Sequence, residues 1–130
     1  MASIFSKIIA GEIPSYKIAE NEKFYAFLDI FPSAKGHVLV IPKIEVDRLF
    51  DLPSDYLDGI LTFAQPIAKA IQKAFECDRV NIVTVGFEVP HAHIHLLPIN
   101  GINDMNALSK KIKTSPEELK EVQEKIIANM

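Results

Sequence analysis

Pro90-His91-Ala92-His93-Ile94-His95-Leu96-Leu97-Pro98 places three of the chain's four histidines at alternate positions within five residues. Side chains of a β-strand alternate between its two faces. A strand from His91 to Leu97, ending at Pro98, would therefore put His91, His93 and His95 on one side and Ala92, Ile94 and Leu96 on the other. The apolar side reads as core. The histidine side must line something polar, because imidazoles buried without partners cost on the order of several kcal/mol in unmade hydrogen bonds.

The flanking sequence supplies partners for such a strand. Val80 to Val85 is a second apolar run, joined to the histidines by a turn or bulge over Gly86 to Pro90. Further upstream, His37-Val38-Leu39-Val40-Ile41 is β-branched and apolar, which predicts an inner strand stopping at Pro42, where a ladder donor is missing. Ser15 to Glu20 and Lys23 to Leu28 bracket a turn at Asn21-Glu22 and read as a hairpin. Asp29 to Gly36 is a turn-rich loop.

Helical periodicity fills the remainder. Ile4, Phe5, Ile8 and Ile9 share one face of a short opening helix, with Gly11 just past its end. Leu57, Ile60, Leu61, Ala64, Ala68, Ile71 and Phe75 predict a long helix from Ser54, its expected cap, to about Phe75. Pro66 predicts a kink or a later start. A second apolar line, Phe63, Ile67 and Ala70, fits either a wide face on the sheet or contact with a partner chain. After a short helical turn near Asp104 to Leu108, Ser115, Pro116 and Glu118 open a last helix over about 115–129, with Leu119, Val122, Ile126 and Ile127 as its apolar face. The order predicts an α+β fold: a mainly antiparallel sheet of about five strands, a long central helix and short terminal helices. Residues 1–130 read as a single domain.

Composition narrows the function classes. With 130 residues, 48% hydrophobic and 24% charged, the chain is neither a disordered segment nor a fibre. Fourteen Lys+Arg against seventeen Asp+Glu give a net charge of −3, and neither half is basic, so nucleic-acid binding is not expected. Cys77, the single cysteine, cannot form an internal disulfide, which suits a reducing compartment. No run approaches 18 apolar residues and the first residues do not resemble a secretion signal; a cytoplasmic protein off the membrane is the expectation.

Three readings fit the histidine face. It could be a solvated strand without function, although three exposed histidines in a row have no stability reason. It could hold a metal, but His91 and His95 would stand roughly 13 Å apart along a strand, too far for ligands near 2 Å from one ion; a His-x-His pair with His37 stays geometrically possible. Covalent catalysis at phosphorus fits the spacing best: one neutral imidazole attacks, its neighbours donating to the phosphoryl oxygens and leaving group. By themselves His37 and Asp29 read as ordinary strand and loop residues.

The whole pattern closely resembles the histidine triad (HIT) nucleotide-binding proteins, which bear His-x-His-x-His followed by two apolar residues. Ile4-Phe5-Ser6-Lys7-Ile8-Ile9-Ala10-Gly11-Glu12-Ile13-Pro14, Phe24-Tyr25-Ala26-Phe27-Leu28-Asp29-Ile30 and Gly36-His37-Val38-Leu39-Val40-Ile41-Pro42-Lys43 resemble further blocks of that family in the same order. The resemblance implies a HIT-like fold and a catalytic set of His93, His95, His91 and His37. His93 would attack the α-phosphorus and form a nucleotidyl-histidine. His95 would contact the phosphoryl and leaving-group atoms. His91 would orient the phosphate pocket, its carbonyl setting the tautomer of His93, and His37 would support the triad. Asp29 would accept the ribose hydroxyls, while Phe5, Ile8, Phe24, Ile30 and Leu39 enclose the base. Asn81, Gly86, Glu88 and Val89 would serve the phosphate side. No metal or cofactor is implied.

The resemblance further implies a homodimer through the long helix and a sheet edge, and a purine nucleotide or nucleoside phosphoramidate as ligand. It weakens in two places. Gly86-Phe87-Glu88-Val89 replaces the Gly-Gln-Ser-Val or Gly-Gln-Thr-Val of many members, so a hydroxyl donor becomes a carboxylate. The last stretch reads as a helix and the chain has no tryptophan, closer to bacterial members. The expected activity is hydrolysis of nucleoside 5'-phosphoramidates of adenosine or purine type, releasing the nucleoside monophosphate. Hydrolysis of dinucleoside polyphosphates, or nucleotide binding with little turnover, are the alternatives.

Overall fold

Ser3 opens the first element: its Oγ accepts the Ser6 amide and helix α1 follows over Ile4–Ile9, closed by Gly11 at φ +81°. The computed structural model describes residues 2–130, except the side chains of Asn103 and Met105. Five strands follow, β1 (Lys17–Glu20), β2 (Phe24–Leu28), β3 (Val38–Pro42), β4 (Arg79–Val83) and β5 (Ile94–Ile99). They form one sheet in the order β1-β2-β3-β5-β4, with every neighbouring pair antiparallel. Helix α2 (Ser54–Phe75) connects β3 to β4, and α3 (Pro116–Ala128) comes last, with 3-10 turns over Leu49–Asp51 and Ile102–Ser109.

Strand parity sorts the side chains into two layers. Phe24, Ala26 and Leu28 of β2, Val38 and Val40 of β3, and Ile94 and Leu96 of β5 pack with α2 and α3. Tyr25, Phe27, Leu39 and Ile41 face the other way and pack with Phe5 and Ile8 of α1. The registers Phe27↔Leu39, Leu39↔His95 and Val83↔His95 align these residues in one row across the second face. That row brings His95 beside the α1 layer, which is small enough to leave part of the face open.

Several expectations shift. β5 begins at Ile94, so His91 and His93 precede the strand: the Ala92 amide bonds to the Val46 carbonyl at 2.7 Å and the His91 amide to the Val89 carbonyl at 2.9 Å. β3 ends at Pro42, which has no amide to extend the ladder. Helix α2 runs unbroken through Pro66, and its cap position is Pro53, so Ser54 caps nothing. Ile67 and Ala70 are fully buried while Leu61 is 54% exposed. The second apolar line therefore belongs to the protomer's own core, because the sheet is broad enough to take a wide helix face.

Other terminal features behave as their chemistry dictates. Ser115 Oγ accepts the Glu118 amide, and Leu119, Val122 and Ile126 are buried; Ile127 lies outside that face and is exposed. Gly36 sits at φ +95°, with space for a Cβ closed by Phe75 at 2.8 Å. Both conditions select glycine before β3. Among the described residues no helix is long and apolar enough to cross a membrane.

Candidate active site

The open part of the second face is a cavity of about 780 Å³. Phe5, Ile8 and Ile13 line one side, Phe27, Asp29, Ile30 and Leu39 the sheet side, and Gly86, Glu88 and Val89 the loop between β4 and β5. His93 and His95 stand at its floor, and Asn106, Leu108, Ser109 and Lys111 approach from the segment after β5.

Hydrogen bonding determines which ring nitrogens face the cavity. His93 Nδ1 lies 2.7 Å from the His91 carbonyl, which can only accept, so Nδ1 carries the proton and Nε2 keeps its lone pair. His93 Nε2 has no protein partner, yet no sealed side-chain nitrogen or oxygen among the described residues lacks one. Nε2 therefore opens to the cavity. Burial lowers the His93 pKa, opposed by the bond to the His91 carbonyl, so the ring is neutral at pH 7. Phe5 holds this ring edge-on at 5.2 Å between centroids.

A relay sets His95 the opposite way. The Ser33 amide donates to His37 Nδ1 at 3.0 Å, so the His37 proton is on Nε2. That Nε2–H donates to His95 Nδ1 at 2.9 Å, leaving the His95 proton on Nε2, toward the cavity. Burial, then the Lys111 charge, brings His37 down to about 4. Burial, then His37 and His93, brings His95 to about 4 as well, against the pull of Asp29. The floor thus offers a free lone pair on His93 next to an N–H donor on His95, the rings 5.2 Å apart.

Asp29 Oδ1 accepts the Phe31 amide at 2.9 Å, and Oδ2 lies 3.7 Å from His37 Nε2. The carboxylate thus borders the cavity while anchored to its own loop. Donor atoms of Asp29, His37 and His95 lie within 4.8 Å of one another, close enough for a shared ion. The two rings already satisfy each other there through the His37 Nε2–H.

Two expected site residues lie elsewhere, and a third, His91, meets the site through its carbonyl rather than its ring. Phe24 is on the α2 face, against Tyr56 and Phe63, because its parity is opposite to that of Leu39. Phe27 occupies the cavity wall instead, and matching its parity to Leu39 and the histidines would have found it. Asn81 pairs with Leu97 on β4 and does not line the cavity. The His91 ring is buried outside it, with Nε2 donating to the Pro42 carbonyl at 2.9 Å and Nδ1 2.7 Å from Ser3 Oγ. Lys111 and its neighbours carried no local signal: they arrive by a distant return of the chain, pinned by the Ile112 amide on the Pro32 carbonyl and Ser33 Oγ on the Leu108 carbonyl.

Comparison with known proteins agrees with this geometry. The HIT domain model matches residues 10–102. The chain belongs to the HIT domain family. This HIT chain is 46% identical over 102 residues to the adenosine 5'-monophosphoramidase of Saccharomyces cerevisiae, covering 75% of this chain and 62% of that protein. It is 35% identical over 132 residues to the Schizosaccharomyces pombe adenosine 5'-monophosphoramidase, covering 97% of this chain and 96% of that protein. A Hit-like protein of Bartonella henselae superposes with a TM-score of 0.85 at 36% identity, over 98% of this chain and 96% of the other. Lys111 and α3 lie beyond the matched HIT segment.

Proposed function

We propose that this HIT protein hydrolyses nucleoside 5'-phosphoramidates of purine type through a nucleotidyl-His93 intermediate. The observation that carries the reading is the pairing of His93 Nδ1–H with the His91 carbonyl, which leaves Nε2 as an available nucleophile. In the first step His93 Nε2 forms a bond to the α-phosphorus and the P–N bond breaks, the amine departing with a proton taken from water. In the second, water adds hydroxide to phosphorus, the N–P bond breaks, and one proton returns to solvent. His95 Nε2–H hydrogen-bonds the phosphoryl oxygens where charge develops. His37 keeps that proton in place, Asp29 accepts ribose hydroxyls, and Phe5, Ile8, Phe27, Ile30 and Leu39 enclose the base. Gly86, Glu88 and Val89 border the leaving group, where Glu88 suits a cationic amine.

Lys111 favours a second reading, in which the group expelled is itself a nucleotide anion, as in a dinucleoside polyphosphate. The proposal includes a cytoplasmic location and a homodimer. The available surface for the latter is edge strand β4 with the exposed Ile82, together with Leu61 of α2.

The test is steady-state hydrolysis of an adenosine phosphoramidate and a diadenosine polyphosphate, by wild type and His93→Ala, with mass spectrometry of quenched wild type. At least about tenfold higher kcat/KM for the phosphoramidate, lost in His93→Ala, with an adenylyl adduct on His93, is expected. Preference for the dinucleotide selects the second reading. Binding of adenosine monophosphate with neither turnover nor adduct overturns both.

A further inference from the structure

Glu45 lies in the segment after β3, outside the cavity, and no step above uses it. Its Oε1 accepts the Ser3 amide at 2.9 Å and the Ser6 hydroxyl at 2.6 Å, while Oε2 lies 3.2 Å from His91 Nδ1. Ser3 Oγ accepts the Ser6 amide at 3.1 Å and lies 2.7 Å from the same His91 Nδ1. The other His91 nitrogen is held by the Pro42 carbonyl at 2.9 Å. One fully buried ring is therefore gripped by the end of β3 on one side and the start of α1 on the other.

These contacts bear on the nucleophile because His91 supplies the carbonyl that takes His93 Nδ1–H. They also hold α1, whose Phe5 ring lies edge-on to both His91 and His93 at 5.8 and 5.2 Å. Partial burial pushes the Glu45 carboxyl up, but hydrogen bonds from Ser6 and Ser3 and the neighbouring His91 outweigh it and bring it down to about 2. The carboxylate is thus a committed acceptor at neutral pH.

We propose that Glu45 is a positioning residue for His93: it holds the first turn of α1 through Ser3 and Ser6, and the Ser3 hydroxyl carries that hold to His91 Nδ1, so that one network sets the nucleoside-facing wall and the carbonyl that selects the reactive tautomer. The inference rests on the reading of His93 as nucleophile. Without the clamp, α1 and the His91 peptide are free to shift, the Nδ1–H loses its fixed acceptor, and the ring populates the tautomer whose proton blocks Nε2. Glu45→Gln keeps an oxygen for the Ser3 amide and Ser6 hydroxyl, the two bonds that hold the turn. Glu45→Ala removes every contact.

The experiment compares wild type, Glu45→Gln and Glu45→Ala by phosphoramidate kinetics and by long-range ¹H–¹⁵N correlation of the histidine rings without ligand. The expected result is kcat lowered about tenfold or more in Glu45→Ala, with mixed His93 tautomers. Glu45→Gln is expected within about threefold of wild type, with the Nδ1–H form intact. A Glu45→Ala protein that keeps the Nδ1–H form and kcat within about threefold of wild type overturns the clamp, and so does a Glu45→Gln protein as impaired as Glu45→Ala. If Glu45→Ala does not fold, Ser3→Ala, which cuts the Oγ contact to His91, takes its place under the same criteria. Absence of turnover in wild type is failure of the proposed function, and the tautomer spectra then still decide the clamp.

Discussion

Acidification from pH 7 to pH 5 will destabilise this fold through His37 and His95. Both rings have pKa values of about 4 in the folded chain against 6.5 for a free histidine, chiefly through burial. A histidine lowered in this way takes up its proton in the unfolded chain first. Stability is therefore complete above 6.5 and drains away as pH falls toward 4. At pH 5 the unfolded chain holds nearly two more protons at these sites than the folded one, and each site has cost about 2 kcal/mol relative to pH 7. The pair together removes about 4 kcal/mol, a large part of the 5–15 kcal/mol typical of a domain.

The pH window isolates the cause. Glu45, held at about 2, and Glu20 and Asp55, also lowered by their hydrogen-bonded partners, give up their contributions only as pH falls below their ordinary values of 4.5 or 3.8. His93, lowered as well, adds to the loss in the same direction. Urea unfolding at half-unit pH steps measures the effect, and His37→Gln should remove about half of the pH dependence even though it lowers stability at pH 7. A stability that stays flat within about 1 kcal/mol from pH 7 to 5 would falsify the buried neutral relay. An undiminished slope in both His37→Gln and His95→Gln would do the same.

Phe24→Ala should cost about 3–5 kcal/mol in urea denaturation, since the ring is 2% exposed between Tyr56 and Phe63, yet leave the KM of the folded fraction unchanged. A several-fold KM increase in a fully folded variant would return Phe24 to the base pocket. Gly36→Ala should lose about 2–4 kcal/mol, because φ +95° strains any Cβ and Phe75 stands 2.8 Å from it; an unchanged melting temperature would contradict the packing described. Lys111→Ala should raise the KM for nucleotide substrates about five- to tenfold at low salt, with the difference shrinking as ionic strength rises. Equal KM values for wild type and variant at low salt would remove Lys111 from the site.

Local chemistry was legible wherever the deciding neighbours are close in sequence. Ser115 as a cap, Gly11 past α1, the hairpin at Asn21-Glu22 and the all-buried strand from Val38 depend on hydrogen-bond supply, backbone freedom and side-chain alternation within a few residues. The histidine spacing itself announced a polar face. By contrast, the start of β5 depended on the Val46 carbonyl capturing the Ala92 amide, a contact between residues far apart in the chain. A strand pattern alone could not expose that competition.

What the sequence determined by itself is the set of parts: the antiparallel order of strands and helices, the four histidines, and the acidic and apolar residues spaced to meet them. Only the tertiary structure decided how those parts divide the work. Strand register put Phe27 rather than Phe24 on the cavity side, and the width of the sheet drew Ile67 and Ala70 into the core. Ring protonation was decided by partners at a distance, with the Ser33 amide and His37 directing the His95 proton, and Ser3, itself held by Glu45, gripping His91 beneath His93. The physical reason is that periodicity fixes which residues can share a face, whereas a proton's position on an imidazole follows whichever donor or acceptor the folded chain brings within about 3 Å.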